Sequence, residues 1–327
     1  MQAKMSPPLS VTATTLAHFS DPHLSHAPRL RLRERFSKRQ LSAWSWLRDR
    51  RELQLGDVLE SLLADIRAQA PEQIVITGDI TNFSLHEEFS AAANWLRELG
   101  SPERVSVVPG NHDALVSVAD DQGLGRWRPW MSSDVEPRQP SPSMRTPQWP
   151  YVRVRGAIAL VGLNSALPTA PLLASGALAS DQLERLEIEL RALSERGLFR
   201  IVLLHHPVAD AAVSARKALR NRAALRDVLA RAGAELVLHG HARDARFDTV
   251  PGPHGAILCL GLPSSSAVPS RKDAGARWHH LTLRREGTAA WELQVQARLW
   301  SPESRTFEQG GCYRVQIEGP AASAALR

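Results

Sequence analysis

Cysteine is nearly absent from this chain, since Cys259 and Cys312 are the only two among 327 residues. Two cysteines are too few for a disulfide framework or a thiolate metal site, so any metal would have to bind histidine, carboxylate and amide groups. Long apolar runs are also missing, because no stretch reaches the ~18 consecutive apolar residues of a membrane-spanning helix. The N-terminal stretch lacks the basic region and apolar run of a signal peptide. The default expectation is therefore a cytoplasmic protein.

Acidic residues are outnumbered, because 34 Asp and Glu face 40 Lys and Arg and give a formal net charge of +6. This balance favours anionic partners such as phosphates, nucleic acid or acidic lipid headgroups. The hydrophobic fraction of 43% is enough to fill the core of a large α/β domain, which argues against global disorder.

Short β-rich runs alternate with amphipathic stretches along most of the chain, which is the pattern of an α/β domain. Strands are predicted over 14–21, 73–79, 104–113, 156–165, 198–207 and 234–240, and helices over 57–71, 86–100, 180–197 and about 215–232. Beyond residue 255 the alternation predicts antiparallel strands. Residues 1–327 are therefore predicted to form a single domain, with a basic and aromatic insertion at about 28–56 and a Pro-rich surface loop at about 136–150.

The insertion carries nine Lys and Arg residues between positions 28 and 51, interleaved with Phe36, Trp44 and Trp46. Such a segment could lie on an anionic membrane, which would place the protein peripherally at the inner membrane face. It could equally be a solvated basic helix that covers the entrance of a site. Single-stranded nucleic acid is a less favoured partner, because no added nucleic-acid-binding module is recognisable.

Side chains of metal-ligand type follow five of the apolar runs. They are Asp21 and His23 in FSDPHL, Asp79 in TGDIT, Asn111 and His112 in PGNHD, His205 and His206 in LLHHP, and His239 and His241 in LHGHAR. The carboxyl ends of strands in an open α/β sheet converge on one crevice, so these side chains are predicted to meet. A carboxylate can bridge two cations, and imidazole and amide oxygen add ligands without excess charge. The donor set suits Mn, Fe and Zn alike.

The order D-x-H, G-D, G-N-H-D, H and G-H over residues 19–243 resembles the calcineurin-like metallophosphoesterase superfamily. The resemblance implies a four-layer αββα sandwich of two mixed β-sheets flanked by helices, with a dinuclear metal centre at the strand ends. It assigns the first metal to Asp21 and His23, the bridge to Asp79, the second metal to Asn111, His205 and His241, and catalysis to His112. His205 is preferred to His206 because it follows the apolar run directly, and neighbours in a strand face opposite sides.

The last block departs from the family pattern, which has a second histidine where this chain has Arg243. Arginine has no lone pair to donate, so this residue cannot be a metal ligand. The first metal would keep its three other ligands with a weaker affinity. Arg243 either turns towards solvent or binds the substrate phosphate as a bidentate clamp.

Two further residues near the predicted centre have roles outside the metal shells. Asn82 stands where many family members have a carboxylate, and its amide could orient His112 by a hydrogen bond. His239 is predicted to support the metal ligands by hydrogen bonds without binding a metal itself. If the strand continued through this motif, His239, His241 and Arg243 would share one side of the chain.

The resemblance implies a hydrolase, most simply a phosphodiesterase, in which a metal-bridging hydroxide attacks phosphorus in line with the leaving group. The segments SDPHL and HHP resemble bacterial phosphodiesterases of the cyclic-nucleotide type, whereas the basic insertion favours a lipid-linked phosphodiester or pyrophosphate. Two alternatives stay open: a degenerate single-metal member that acts as a binding or regulatory module, and a nuclease.

Overall fold

A computed structural model describes residues 13–24, 38–40, 56–134, 148–270 and 274–320. Most of the predicted insertion at 28–56 and of the Pro-rich loop at 136–150 therefore lies outside the described residues. The described residues form two six-stranded sheets. No helix among them is long and apolar enough to cross a membrane.

The first sheet presents three parallel strand ends at one edge. Its strands, in spatial order, are β12 (Thr306–Glu318), β11 (Ala290–Ser301), β10 (Arg277–Glu286), β1 (Thr14–Phe19), β2 (Gln73–Ile76) and β3 (Val105–Val107). Strands β1, β2 and β3 run parallel, and their last residues, Phe19, Ile76 and Val107, pair with one another in register. The segments that follow these strands therefore leave the sheet at the same edge. The C-terminal strands are antiparallel, as their alternation predicts.

The second sheet also has neighbouring parallel strands whose ends lie at one edge. Its strands, in spatial order, are β4 (Tyr151–Arg155), β5 (Ile158–Gly162), β6 (Phe199–Leu203), β7 (Leu236–His239), β9 (Gly255–Gly261) and β8 (Arg246–Gly252). The inner strands are parallel, and the two edge strands are antiparallel to their neighbours. Leu203 pairs with Leu238, so β6 and β7 also end level with each other. Both sheets are therefore mixed.

Helices flank the sheets, and those with described bounds are α1 (Gly56–Gln69), α2 (His86–Leu99), α3 (Ser180–Glu195) and α4 (Arg222–Ala232). One apolar cluster joins both sheets with α1 and α2, and a second joins the other face of the second sheet with α3 and α4. Strand β6 serves both clusters, since Ile201 belongs to the first and Val202 to the second, as expected when side chains alternate. The predicted fold of two mixed sheets flanked by helices is confirmed.

Helix α4 begins later than the sequence predicts, at Arg222 instead of about residue 215. The preceding residues instead pair with the loop after β5, because Ala174 N donates to Arg216 O at 2.9 Å and Arg220 N donates to Gly176 O at 2.9 Å. Two 3₁₀ helices, Asp120–Gln122 and Leu124–Met131, were also not predicted. The second buries Trp127 and Trp130.

Candidate metal centre

The polar segments that follow β1, β2, β3, β6 and β7 meet at one edge of the two stacked sheets. Contacts at this edge join the two sheets: for example, His205 Nδ1 lies 2.7 Å from Thr77 O, and His241 N donates to Asp21 Oδ2 at 3.2 Å. All six predicted metal ligands lie at this edge and are at most 7% exposed: Asp21, His23, Asp79, Asn111, His205 and His241. The structure therefore brings together side chains that are up to 220 positions apart in the chain.

Asp79 occupies the middle of the cluster. Its Oδ1 accepts a hydrogen bond from His112 N at 2.7 Å, and its Oδ2 lies 3.9 Å from His23 Nε2 and 3.4 Å from His205 Nε2. Among the described residues, two groups could hold a metal ion: His23, Asp79 and His112, and Asp79, His205 and His241. Asp79 belongs to both groups. One carboxylate oxygen thus faces histidines from both sheets.

The half of the cluster around His23 is built from the segment after β1. His23 Nδ1 lies 3.2 Å from Thr81 O, and a carbonyl oxygen can only accept, so Nδ1 carries the proton. The other ring nitrogen, Nε2, lies 3.9 Å from Asp21 Oδ1. The second oxygen of Asp21 accepts a hydrogen bond from Ser20 Oγ at 2.6 Å, which fixes the carboxylate plane. This half therefore points a nitrogen and a carboxylate oxygen at one place.

The half around His205 brings four polar atoms to one place. His205 Nδ1 donates a hydrogen bond to Thr77 O, so Nε2 presents a lone pair whenever the ring is neutral. That nitrogen lies 3.2 Å from Asn111 Oδ1, 3.1 Å from His241 Nδ1 and 3.4 Å from Asp79 Oδ2. The two oxygens are acceptors, and each of the two nitrogens offers a lone pair in one tautomer, so all four atoms can bind one cation. The geometry and the donor chemistry both fit a metal ion.

The pKa values of the clustered side chains also indicate that positive charge is favoured between them. Burial lowers the pKa of His205, but the Asp79 and Asp21 carboxylates and the contact with Thr77 O together outweigh burial and raise it to about 10. Burial would raise the pKa of Asp79, yet His205 and His112 hold it well below its usual range. Burial raises the pKa of Asp21 to about 6. A proton on His205 thus supplies positive charge that a divalent ion would supply instead.

Stability of the chelated protein is expected to fall as the pH rises from 7 to 10. The folded chain holds the His205 proton more tightly than an unfolded histidine with a pKa of 6.5, so this contribution is complete below 6.5 and is lost as the pH approaches 10. Thermal melts in chelator should show the fall, and saturating Mn should flatten it. The variant His205→Asn should melt with a weaker dependence over the same range. An equally steep fall in His205→Asn would show that the His205 proton does not cause the pH dependence.

The backbone turns sharply at four of the six predicted ligands. The φ angles are 51° at Asp21, 41° at His23, 57° at Asp79 and 67° at His241. Each such left-handed residue costs about 1–3 kcal/mol and persists only where the surroundings hold it, often at functional sites. Strand β7 ends at His239, and Arg243 also has a positive φ of 59°. The period-two expectation for His239, His241 and Arg243 is therefore wrong.

Two glycines of the motifs are required by close approach. A Cβ added at Gly110 would collide with Asp79 Oδ1, and one added at Gly240 would collide with Ser20 Oγ and Asp21 Oδ2. Both glycines therefore let the backbone lie directly against carboxylates of the cluster. Their positions in G-N-H-D and G-H follow from packing around the centre.

His206 is buried beside the cluster but faces away from it. Its Nδ1 lies 2.8 Å from Ser165 Oγ, and its Nε2 lies 3.2 Å from Ala174 O. Both ring nitrogens are thus used by the loop between β5 and α3. Burial lowers the pKa of His206 to about 3, so the ring is neutral. Its place in the structure agrees with the preference for His205.

The remaining predicted residues surround the cluster without joining it. The side chain of Asn82 donates to Leu24 O at 2.9 Å, whereas its main-chain oxygen lies 2.8 Å from His112 Nδ1. His239 Nδ1 lies 3.1 Å from Gly240 O, and its Nε2 has no hydrogen-bond partner among the described residues. Arg243 is exposed. His112 is thus oriented by the backbone at residue 82 and not by the amide side chain.

Sequence reasoning overlooked Asp113, the last residue of G-N-H-D. Its carboxylate is 2% exposed and accepts hydrogen bonds from the amides of Gly110, Asp79 and Thr81 at 2.9, 2.8 and 2.8 Å. It therefore ties the loop after β2 to the loop after β3. The motif itself contains the signal, because the aspartate directly follows the predicted ligand and the predicted acid.

The sequence profile of the calcineurin-like phosphoesterase family matches residues 14–242. No curated protein sequence matches the chain. A dimetal phosphatase from Danio rerio is 14% identical over 94% of this chain and 99% of its own, with a TM-score of 0.53. A phosphatase from Mycoplasma pneumoniae is 10% identical over 95% of this chain and 96% of its own, with a TM-score of 0.37.

Identities this low show likeness of fold alone, whereas the profile match spans the segments that build the cluster, from β1 to the residue after His241. The chain therefore belongs to the calcineurin-like phosphoesterase family and is a metal-dependent phosphoester hydrolase.

Proposed function

We propose that the protein is a phosphodiesterase with a dinuclear metal centre. Asp21, His23 and Asp79 would hold the first ion, and Asp79, Asn111, His205 and His241 would hold the second. The observation that carries this proposal is the position of Asp79 Oδ2, which lies 3.9 Å from His23 Nε2 and 3.4 Å from His205 Nε2. A single oxygen between histidines of the two sheets is suited to bridge two cations.

Bound Mn, Fe or Zn ions would neutralise the phosphoryl oxygens and supply a water of lowered pKa as the nucleophile. His112 provides the acid. Its Nδ1 donates to Asn82 O at 2.8 Å, so proton transfer to the leaving oxygen falls to Nε2. The contact at Nδ1 is thus to a neutral carbonyl and not to a carboxylate side chain.

Arg243 supports a phosphodiester substrate. It is exposed two positions after His241, and its guanidinium can bind two oxygens of a phosphate at once. A diester carries a single negative charge, which one arginine and two cations neutralise readily. We favour a compact, cyclic-nucleotide-like diester. Lipid-linked diesters or pyrophosphates are the second candidate, through the predicted membrane contact of residues 28–51.

Only Lys38 and Arg39 of the basic residues in that segment are described. Both donate to acceptors within the protein, Lys38 to Leu173 O at 2.7 Å and Arg39 to Ser84 O at 2.6 Å. These two cations are thus engaged internally. Contact of the other basic residues with an anionic membrane stays a prediction.

The test is hydrolysis of bis(4-nitrophenyl) phosphate against 4-nitrophenyl phosphate, with Mn and with chelator. We expect Mn-dependent activity that is higher on the diester. Arg243→Ala should raise KM for the diester by about 10- to 100-fold, because a charge-assisted hydrogen bond contributes about 1.5–3 kcal/mol. Arg243→Lys keeps the charge but loses the fork, so it should restore only part of the affinity.

Faster hydrolysis of the monoester would overturn the phosphodiesterase assignment. If the protein binds one metal ion and hydrolyses neither compound, it is instead a single-metal binding module. Unchanged KM in Arg243→Ala would show that this side chain faces solvent during turnover.

A further inference from the structure

Two neighbouring basic side chains of the 28–51 segment bind two different loops that border the candidate centre. We call the described residues Lys38–Gln40 the strap. Lys38 Nζ donates to Thr169 Oγ1 at 2.6 Å and to Leu173 O at 2.7 Å, in the loop after β5. Arg39 donates to the loop after β2. The strap therefore connects a loop of the second sheet with a loop of the first.

Two side chains of opposite charge bind the loop after β2, one at its carbonyl oxygens and the other at its amides. Arg39 donates from Nε to Phe83 O at 3.0 Å and from Nη2 to Ser84 O at 2.6 Å. The Glu88 carboxylate accepts the neighbouring amides at 2.8–3.0 Å, those of Asn82, Phe83 and Leu85. Amides thus face an anion and carbonyls face a cation. Removing either charge leaves one side of this turn without its partner.

This turn carries the contacts that orient His112. Asn82 O lies 2.8 Å from His112 Nδ1, and Ser84 Oγ donates to His112 O at 2.7 Å. Ser84 Oγ also accepts Leu115 N at 2.9 Å, and Ser84 is fully buried with a left-handed φ of 54°. The strained serine therefore fixes the backbone of His112, and the carbonyl two residues before it fixes the ring. Arg39 Nη2 donates directly to the main-chain oxygen of that serine.

The loop bound by Lys38 also borders the candidate centre. Ser165 Oγ and Ala174 O occupy the two nitrogens of His206, whose ring centroid is 4.6 Å from that of His241. The strap thus fixes the loop beside His112 relative to the loop beside His241. The charged groups of Lys38 and Arg39 are therefore engaged in hydrogen bonds within the protein.

We propose that Arg39 is a positioning residue for His112, with Lys38 holding the strap in place. This inference rests on the proposed function, in which His112 protonates the leaving group. Arg39 acts through Phe83 O and Ser84 O on the turn at residues 82–84. Without Arg39 the imidazole keeps its chemistry but loses its fixed alignment, and a misplaced acid transfers its proton less efficiently.

The test uses two aryl phosphodiesters of similar shape, bis(4-nitrophenyl) phosphate and diphenyl phosphate. The nitrophenolate leaves as a stable anion, whereas phenolate needs a proton at the transition state. We expect Arg39→Ala to lower kcat on diphenyl phosphate by about 10-fold and on the nitrophenyl diester by less than about 2-fold, with KM unchanged. His112→Ala should show the same selectivity with a larger loss, and Lys38→Ala a smaller one.

A double-mutant cycle separates positioning from general destabilisation. If Arg39 acts through His112, then Arg39→Ala should cost almost nothing further in a His112→Ala background. A second readout needs no metal and no turnover. The Nδ1 proton of His112, assigned by its loss in His112→Ala, should give a protected NMR signal in the chelated protein and exchange faster in Arg39→Ala.

Arg67, exposed on α1, provides the matched control for loss of one arginine. Arg67→Ala should leave the selectivity and the NMR signal unchanged, and Arg39→Lys should recover part of both. Equal losses on the two diesters, or full additivity with His112→Ala, would overturn the inference. If the native protein hydrolyses neither diester, the proposed function fails, and the NMR comparison alone decides whether Arg39 positions the ring.

Discussion

Asp79→Asn should abolish turnover and empty the metal centre while the protein stays folded. The amide can still accept the hydrogen bond from His112 N that Asp79 Oδ1 accepts at 2.7 Å. It cannot supply the negative charge or the second oxygen needed opposite His23 and His205. We expect a loss of at least about 10³-fold in kcat on bis(4-nitrophenyl) phosphate, because the residue serves both ions.

Metal content per chain, measured by plasma mass spectrometry on protein purified without chelator, is the accompanying readout. Two ions are expected in the native protein and fewer than one in Asp79→Asn. Glu60→Gln, at an exposed position on α1, controls for the loss of one carboxylate. Native activity and metal content in Asp79→Asn would remove this residue from the centre.

Glu235→Ala should cause a large loss of stability far from the candidate centre. Arg200 and Glu235 are 1% and 4% exposed, and their closest N–O distance is 2.6 Å. The guanidinium also donates to Leu190 O at 3.1 Å and Ala232 O at 2.8 Å, so it joins α3 and α4 to the second sheet. Removing the carboxylate leaves a buried cation unpaired, which typically costs about 3–5 kcal/mol.

Chemical denaturation of the chelated proteins would measure this loss. Glu187→Ala removes an ion pair with Arg231 at the surface, and its effect should be much smaller. Replacing both partners, as Arg200→Met with Glu235→Leu, should recover most of the stability, because no charge is then left buried. A loss below about 1 kcal/mol in Glu235→Ala would mean that water reaches the guanidinium.

Much of the fold could be predicted because apolar runs and polar strand ends obey local rules. The parallel strands β2 and β6 are uniformly buried, so they read as short apolar runs without alternation. Asp79 follows the end of β2 and His205 the end of β6 within three residues, and both side chains lie at the edge of the sheets. Convergence of the candidate ligands then follows from the topology of parallel strands.

The features that escaped prediction depend on contacts between distant segments. The end of β7 at His239 is set by the turn that brings His241 N to Asp21 Oδ2, a contact across 220 positions. The orientation of His112 by a main-chain oxygen follows from the backbone around Ser84. Glu88 resembles an ordinary helix residue in the sequence, yet its carboxylate binds three amides of the preceding turn. Side-chain periodicity carries no information about such partners.

The place of β1 has a consequence for the order in which the protein is made. This strand supplies the segment with Asp21 and His23, but it pairs on one side with β2 and on the other with β10, which ends at Glu286. During synthesis one edge of β1 therefore stays open until most of the chain has left the ribosome. The C-terminal strands hold none of the proposed ligands, yet the nascent chain completes the first sheet only when they arrive. Pairing over such sequence distances makes folding slow and leaves an edge exposed to aggregation meanwhile.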